Sequence, residues 1–538
     1  MRDPAPRTQE PATIGRRNIG ILVLVSVVQL MVIIDASIVN VALPSIKVAL
    51  NFSEVDLQWV INAYTLIFAG FLLLGGRAAD LLGRRAVLIA GLVLFTGASL
   101  VCGLAQSSIM LELSRGVQGL GGAIISPAAL SILLVTFREG AARNRALSVW
   151  GAVAGGGSAI GVILGGLLTQ GPGWRWIFFV NVPIGILLVL AAPRILAESH
   201  GEQRTRSYDI PGAVTVTLAL VLLVYAMVGT VTYGWGSART IGELLAAALL
   251  FGIFVAIEGR FASQPLVPLR IFRSRALVGA NVVALLLGLA LFAVFYFLSL
   301  YMQQVLGFSP LRTGVAYLPI TVGFIVIAGV ASQLIGRVGA KWLLTIGMVI
   351  TAAAFLLLAR LPDQASYATD ILPAFIVLPL GAGLAFISVT NAAVAGVAPR
   401  DSGLASALLN TSQQTGGAVG LGLLATIAAS RTNSILAGNP HTTLAHALVQ
   451  GFHAAFFVAA AIAAVGAIVA ILTIPRSIGR VTQVASPAPS TPSGPEPQPV
   501  TRRATVPSGA LAACALCSPV TRHSAIVETA IRSGADTG

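Results

Sequence analysis

Long apolar segments follow one another along almost the whole chain, separated by short polar segments. Fourteen of them reach the ~18 residues that an α-helix needs to cross a bilayer. They lie at about 19–43, 57–76, 86–105, 108–135, 144–169, 175–197, 209–231, 241–260, 276–303, 313–335, 341–360, 370–397, 403–429 and 451–474. Because lipid offers the backbone no hydrogen-bond partner, each segment is predicted to be helical. The pattern predicts an all-α integral membrane protein.

The composition agrees with this pattern and excludes most soluble proteins. Of the 538 residues, 56% are apolar and 10% are charged, whereas a soluble globular chain has roughly 25% charged residues. A net charge of +14 would suggest nucleic acid as the partner of a soluble protein. Here the basic residues lie in the short segments between apolar runs, so we expect a lipid bilayer and no nucleic acid as partner.

The basic residues also predict the orientation of the helices. If the N-terminus is cytoplasmic, 26 of the 33 basic residues fall on the cytoplasmic side and six on the other, while Arg115 lies inside an apolar run. Cytoplasmic loops of membrane proteins are enriched in lysine and arginine. Only Lys47 and Lys341 are lysine, which with abundant alanine and glycine suggests a GC-rich bacterial genome. We expect a bacterial cell-membrane protein with both termini in the cytoplasm.

The sequence excludes several other sources of chemistry. Neither lysine follows a glycine or precedes a Ser or Thr, so the chain has no P-loop for ATP and any transport is secondary or passive. Cys514 and Cys517 with His523 have no second cysteine pair and are interpreted as tail residues without a metal. The scattered histidines lack clustered catalytic partners. We therefore expect no enzyme activity, no metal and no cofactor; the oligomeric state stays open, with a functional monomer expected.

Ionisable residues inside the apolar runs are the first candidates for function, because they are costly in a membrane. Asp35 lies within span 1, and burial would let it take a proton near neutral pH. It could equally pair with a cationic substrate, or be a structural carboxylate bonded to a neighbouring helix. Arg115 in span 4 could tune the proton affinity of Asp35. The alternative is a structural ion pair with Glu112, three residues earlier on the same helix face.

Glycine-rich segments point to a conformational role and to an internal repeat. The loop between spans 2 and 3 contains Gly76, Asp80, Gly83, Arg84 and Arg85. Such a segment could act as a clasp that holds one state of a rocking protein. A weaker copy at 334–341 lies between spans 10 and 11 and suggests two related six-span halves, with spans 7 and 8 inserted. In span 5, Gly157, Gly161, Gly165 and Gly166 are predicted to lie on one face, where close helix packing explains them.

Several segments are motifs of one transporter family. They are 35–44 in span 1, 76–85 after span 2, Leu113-x-Arg115-x-x-Gln118-Gly119 in span 4, 174–185 at span 6, 268–272 before span 9 and Arg400-x-x-Gly403-x-Ala405-Ser406-Ala407 at span 13. On these motifs the chain resembles the major facilitator superfamily, in its fourteen-span branch of drug:proton antiporters, over about residues 17–475. The chain departs from the family motifs at three positions. Ala78 and Leu81 are unusual in the first loop, and Val162 replaces the usual proline of the span-5 antiporter motif.

The resemblance implies the major facilitator fold, with two six-helix bundles and two inserted helices. We expect a cytoplasmic segment 1–17, bundles 18–200 and 275–475, inserted helices 205–262, and a disordered cytoplasmic tail 476–538 rich in Pro, Ser and Thr. In this branch the Asp of the span-1 motif is tied to proton coupling, which implies the same role for Asp35.

The implied function is proton-driven export of hydrophobic or amphipathic small molecules by alternating access. Within the branch the chain is similar to the tetracenomycin-type exporters of aromatic polyketides; broad multidrug efflux is the alternative. The alternative functions are a nutrient uniporter or importer, and a membrane enzyme or sensor. Polar or aromatic residues expected to line a central cavity are Asn40, Gln58, Trp59, Asn62, Tyr64, Tyr296, Tyr301, Gln303, Asn391, Asn410 and Gln414.

Overall fold

The computed structural model describes residues 16–53, 55–137, 141–199, 209–261, 265, 269–395, 397, 402–438 and 441–475. All of them belong to the first of two units, Met1–Val481. The first fifteen residues, the segment 200–208 and everything from residue 476 lie outside the described residues. The predictions for the two terminal segments, including those for Cys514, Cys517 and His523, therefore fall outside them as well.

The described part of the chain is helical almost throughout. The helices are α1 Arg16–Leu50, α2 Trp59–Leu82, α3 Arg84–Gly103, α4 Ser108–Thr136, α5 Ala141–Gln170, α6 Trp176–Phe179, α7 Asn181–Ile195, α8 Ile210–Tyr233, α9 Ala238–Ala256, α10 Arg275–Leu300, α11 Pro310–Ala316, α12 Leu318–Val338, α13 Ala340–Leu358, α14 Leu372–Ala395, α15 Ser402–Gly438 and α16 Leu444–Thr473. Within the described ranges, 14 segments are long and apolar enough to cross a membrane. The predicted number of spans is confirmed, with α6–α7 and α11–α12 each forming one span.

Side chains at the helix starts explain where several spans begin. Ser107 accepts a hydrogen bond from the Met110 backbone N–H at the start of α4. Ser274 and Thr443 do the same before α10 and α16. Short polar side chains at this position satisfy backbone N–H groups that the helix leaves unpaired. The loops between the apolar runs therefore contain the residues that start the next helix.

Single glycines make the sharpest turns. Gly83 alone separates α2 from α3, with φ 105° and ψ 127°. Gly339 alone separates α12 from α13, with φ 88° and ψ 150°. Residues with a Cβ rarely adopt such positive φ values. The two related loops found in the sequence thus make nearly the same turn, each between the second and third spans of a six-span half.

The two halves also share one pattern of helix packing. In the N-terminal half, α1–α7, α1 packs on α5, α2 on α4, and α3 on both α4 and α7. In the C-terminal half, α10–α16, the equivalent pairs are α10 with α15, α12 with α14, and α13 with both α14 and α16. The equivalent helix pairs agree with the internal repeat that the two glycine loops predicted.

One of the two inserted helices, α8, lies beside both halves. Leu220 and Val224 of α8 are buried with Leu66 of α2 and Ala418 of α15. Thr426 of α15 donates a hydrogen bond to the Met227 carbonyl of α8 at 3.1 Å. Helix α9 packs chiefly on α8. Helix α8 therefore fills a position between α2 and α15, where the two halves adjoin.

The halves meet near one end of the bundle. We name the end at which α1 begins the arginine-rich face, and the end at which α1 finishes the arginine-poor face. Towards the arginine-poor face, Gln303 donates to the Val41 carbonyl at 2.8 Å, and the Leu311 N–H donates to Gln170 Oε1 at 3.3 Å. These bonds join α1 and α5 to the C-terminal half.

The span-5 glycines make close approaches on two sides of α5. A Cβ on Gly157 would lie 3.0 Å from Ile33 Cγ2, and one on Gly165 would lie 2.7 Å from the Ile38 carbonyl oxygen; Gly161 contacts Ser37 of the same helix, α1. A Cβ on Gly166 would instead lie 2.7 Å from Leu311 Cα in the other half. The prediction of a single face was wrong for Gly166, because one residue rotates the helix by about 100°.

Candidate functional site

A carboxylate is buried near the middle of α1. Asp35 is 0% exposed. Its Oδ2 accepts a hydrogen bond from Arg115 Nη1 at 2.7 Å. Its Oδ1 accepts from Gln118 Nε2 at 2.7 Å and from Asn181 Nδ2 at 2.9 Å. All of these bonds are donated to Asp35, which is the arrangement that an ionised carboxylate requires because it can only accept.

Arg115 balances this charge from α4 and is itself 1% exposed. Its Nε donates to the Val60 carbonyl at 3.0 Å, and its Nη1 also donates to Gln118 Oε1 at 2.7 Å. The guanidinium carbon lies 4.4 Å from the centroid of the Tyr64 ring and 5.8 Å from that of Phe178. A buried charge is tolerated only when it is paired and hydrogen-bonded. Arg115 meets both conditions and links α4 to α1 and α2.

Gln118 connects the ion pair to α3. It lies three residues after Arg115 and hence on the same helix face. Its Nε2 donates to Ser99 Oγ at 2.6 Å, and Cys102 Sγ lies 3.7 Å from its Oε1. The resulting network joins α1, α3, α4 and α7, which are four helices of the N-terminal half. Among the described residues, no group of three or more His, Cys, Asp or Glu side chains could hold a metal ion.

Glu112 is not the partner of Arg115 that the sequence allowed as an alternative. Of the two carboxylates considered, Arg115 pairs with Asp35 in the described part of the chain. Glu112 instead lines a cavity of about 400 Å³ at the arginine-poor face, together with Asp56, Trp59 and Tyr225. Arg115 pairs with Asp35, 80 residues away in the sequence, because α1 packs against α4 and brings Asp35 within reach.

The loop predicted as a clasp is bound within the N-terminal half in this structure. The backbone N–H groups of Arg85 and Ala86 donate to the carboxylate of Glu198, at 3.0 and 3.1 Å. The Arg85 guanidinium lies 3.5 Å from the same carboxylate, and the Arg84 N–H donates to the Ser199 carbonyl at 2.9 Å. Glu198 thus caps the start of α3. Gly76 lies against Pro127 of α4, and the side chain of Asp80 lies outside the described residues.

The predicted cavity-lining residues fall into two groups. Asn62, Tyr64 and Tyr296 are buried within the helix bundles, as are Gln58 and Tyr301. Asn391 and Asn410 are exposed, and Asn40, Trp59, Gln303 and Gln414 are partly buried. The buried members contact protein: Asn62 donates to Gln58, and Tyr301 donates to the Pro362 carbonyl. Lining of a transport path stays a prediction for the exposed and partly exposed members.

Sequence reasoning gave no role to three residues of the site. Gln118 and Asn181 stand in quoted motifs, and Ser99 is a polar residue inside the apolar run of span 3. Each is a hydrogen-bonding side chain within a predicted span, which is a signal that could have found them. That Gln118 and Asn181 bind Asp35 and that Ser99 binds Gln118 could not be inferred, because these contacts depend on how four helices pack.

Comparisons with known proteins agree with this fold. The sequence model of the Major Facilitator Superfamily matches residues 25–421. A cephamycin export protein of Amycolatopsis lactamdurans is 39% identical over 427 residues, covering 79% of this chain and 87% of that protein. A puromycin resistance protein of Streptomyces alboniger is 39% identical over 445 residues, 82% and 88% of the two chains.

Two further similarities concern an antibiotic exporter and a solved structure. The tetracenomycin C resistance and export protein of Streptomyces glaucescens is 35% identical over 414 residues, 77% of this chain and 76% of that protein. The crystal structure of a bacterial homologue of the human lysosomal transporter Spinster superposes with a TM-score of 0.63 at 15% identity, covering 85% and 97% of the two chains. This chain is a multi-pass membrane transporter that belongs to the Major Facilitator Superfamily.

Proposed function

We propose that this chain exports hydrophobic or amphipathic small molecules, including an antibiotic, across the bacterial cell membrane in exchange for protons. The observation that carries the proposal is the Asp35 carboxylate, fully buried in a membrane span and bound by three donors. Buried ionisable groups in membrane helices are costly and mark ion pathways. Asp35 is the proton site of the exporter, and Arg115 tunes its proton affinity.

Proton binding at Asp35 gives the protein two states with different contacts. A protonated Asp35 is neutral, so its attraction to Arg115 is lost while Arg115 keeps its bonds to Val60 and Gln118. The link between α1 and α4 weakens, and these two helices belong to the half that must rock against the other. We propose that the arginine-rich face is cytoplasmic and that the state in which the halves are bonded near the arginine-poor face loads cargo from inside.

The proposed cargo follows from the relatives. Proteins similar to this chain are named for the export of cephamycin, resistance to puromycin, and resistance to and export of tetracenomycin C. An antibiotic, with an aromatic polyketide such as tetracenomycin C placed first, is therefore the proposed substrate. Export of all compounds tested, regardless of structure, would instead support a broad multidrug pump.

The first experiment measures drug accumulation in cells that express the wild type or Asp35→Asn at matched membrane levels. The panel contains tetracenomycin C, puromycin, cephamycin and a lipophilic cation dye, each with and without a protonophore. We expect the wild type to lower the accumulation of at least one compound, and both Asp35→Asn and the protonophore to abolish this effect. Asp370→Asn, the same change near the arginine-poor end of the C-terminal half, is the matched control and should export normally.

A second measurement tests coupling directly. Purified protein in vesicles, given an outward gradient of the exported compound, should move protons in the opposite direction, read by a pH-sensitive dye inside. Compound movement without proton movement would identify a uniporter and contradict the antiport proposal. Export by Asp35→Asn equal to that of the wild type would remove Asp35 as the coupling site.

A further inference from the structure

Asn181 differs from Gln118, the other amide that donates to Asp35, because only its NH₂ group is hydrogen-bonded to a described residue. It is the first residue of α7 and is 1% exposed. Its Nδ2 donates to Asp35 Oδ1 at 2.9 Å. Its Oδ1 accepts no hydrogen bond from any residue that the structure describes. A primary amide exchanges donor for acceptor when it rotates by a half-turn, and Asn181 can do so without breaking another described bond.

Gln118 and Arg115 do not have this freedom. Both polar atoms of the Gln118 amide are occupied, since Oε1 accepts from Arg115 and Nε2 donates to Asp35 and Ser99. A half-turn of Gln118 would place its oxygen against the carboxylate and its NH₂ against the guanidinium. Arg115 has donors only. Of the three groups that bind Asp35 in the described site, Asn181 is the one that can become an acceptor.

A protonated Asp35 needs such an acceptor. Its new O–H would otherwise be a buried donor without a partner, which is unfavourable. We propose that Asn181 is a positioning residue: it donates a hydrogen bond to ionised Asp35, and when Asp35 Oδ1 is protonated it rotates and accepts a hydrogen bond from the Asp35 O–H group. The inference rests on the proposed function in taking Asp35 as the proton site. It adds that Asn181 sets the pH at which the site releases its proton.

The direction of this effect follows from bond strength. A hydrogen bond to a charged acceptor is roughly twice as strong as one between neutral groups. Asn181 therefore stabilises ionised Asp35 more than protonated Asp35. Replacing Asn181 with leucine, which has a similar size and no polar atom, should shift the protonation midpoint upward by about one pH unit.

Other charged and titratable groups around the site must be considered in this test. Facing it are Arg115 from α4, Tyr64 from α2 and Cys102 from α3. The other elements packed on α1 are α5, α6, α7, α10 and α11. The charged or tyrosine side chains on or beside them are Arg143, Arg145, Arg175, Arg194, Arg275, Tyr296, Tyr301 and Arg312. The control variants leave all of these groups in place.

The experiment is a pH titration of the purified full chain in lipid vesicles, followed by difference infrared spectroscopy. The protonated carboxyl band gives the midpoint, and a side-chain amide carbonyl band that changes with it reports the rotation. Asp35→Asn must remove the carboxyl band. If it does not, the proton site of the proposed function is wrong, whatever the behaviour of Asn181.

Three variants at matched yield then test Asn181 itself. Asn181→Leu should lose the amide band and move the midpoint upward by about one pH unit. Asn181→Asp, which keeps the shape of the side chain, should move the midpoint further, because adjacent carboxylates share a proton. Asn281→Leu removes another buried asparagine, on α10, and should change neither signal. An unchanged midpoint in Asn181→Leu and Asn181→Asp would overturn the inference, and Asn181→Asp decides alone if the leucine variant does not fold.

Discussion

The N- and C-terminal halves share a pattern of helix pairs but fill their interiors differently. The N-terminal half buries the ion pair of Asp35 and Arg115. In the C-terminal half aromatic rings pack together: Tyr317 stacks on Phe375 with centroids 5.7 Å apart, and Phe297 lies 5.4 Å from Phe452. Among the described residues, every buried charged side chain precedes α10. The shared fold is therefore built in the C-terminal half without buried charge, so the pair is not needed for this architecture.

The buried polar side chains described in the C-terminal half are uncharged, and their hydrogen bonds hold neighbouring helices together. Ser412 donates to Asn281 Oδ1 at 2.9 Å, which joins α15 to α10. The Tyr317 hydroxyl lies 2.9 Å from Ser299 Oγ and donates to the Phe295 carbonyl. Such bonds fix helices without a change of charge. A charged network costs more to bury. Of the two halves, as far as the structure describes them, the N-terminal half is the one that buries an ion pair.

The largest expected effect comes from breaking the ion pair on one side. Arg115→Met leaves Asp35 buried without its counter-charge, so we expect transport to be abolished and the free energy of unfolding to fall by about 3 kcal/mol. Unfolding in mixed detergent and export from cells measure the two effects. Arg431→Met, an exposed arginine of α15, is the matched control and should retain both stability and transport.

A double variant separates stability from function in the same place. Asp35→Leu with Arg115→Met gives the N-terminal half an apolar interior like that of its counterpart. Replacing both members of a buried pair is often neutral or stabilising. We expect the double variant to regain most of the stability lost in Arg115→Met and none of the transport. If stability stays low, the ion pair is structural, and the N-terminal half needs it although the C-terminal half folds without one.

The second-largest effect is expected from Gly166→Val, which changes the contact between the two halves and not their interiors. A Cβ on Gly166 would lie 2.7 Å from the Pro310 carbonyl oxygen, so Gly166→Val should disfavour the state closed at the arginine-poor face by 1–3 kcal/mol, roughly. We expect export to fall about tenfold, since a shift of 1.4 kcal/mol is roughly a factor of ten.

Labelling distinguishes a displaced equilibrium from misfolding. A cysteine at Thr313, which is fully buried on α11 beside this contact, should react faster with a membrane-impermeant maleimide when Gly166→Val is present. Gly97→Val is the control, because a Cβ at Gly97 meets no atom within 4 Å. Equal labelling in the two backgrounds would show that Gly166 does not govern closure.

The features that sequence could predict are those that depend on local spacing. Fourteen apolar runs predicted the fourteen spans, because length and hydropathy decide whether a helix can cross a bilayer. Asp35 and Arg115 stood out since a charge in such a run is rare. Gly83 and Gly339 marked equivalent turns because both positions need positive φ. Each of these signals is contained in one short segment.

The features that sequence missed depend on contacts between distant segments. Spacing offered Glu112 as a partner of Arg115, but helix packing gave that place to Asp35, 80 residues away. Asn181 stood in a recognised motif, yet its contact with Asp35 crosses 146 residues. Gly166 follows Gly165 in the chain and contacts the opposite half. Local spacing can identify candidates, but the choice among them is made by tertiary packing.

The smallest expected effect compares two buried tyrosines, one in each half. The Tyr317 hydroxyl has two partners, Ser299 and the Phe295 carbonyl, so Tyr317→Phe should lower the free energy of unfolding by about 1 kcal/mol. The Tyr64 hydroxyl is buried with no hydrogen-bond partner among the described residues, while its ring lies against Arg115. Tyr64→Phe should therefore leave stability unchanged or slightly higher, as the ring contact is kept and an unsatisfied polar atom is removed. Detergent unfolding at one pH measures both, and equal losses would mean that Tyr64 has a partner in the N-terminal network after all.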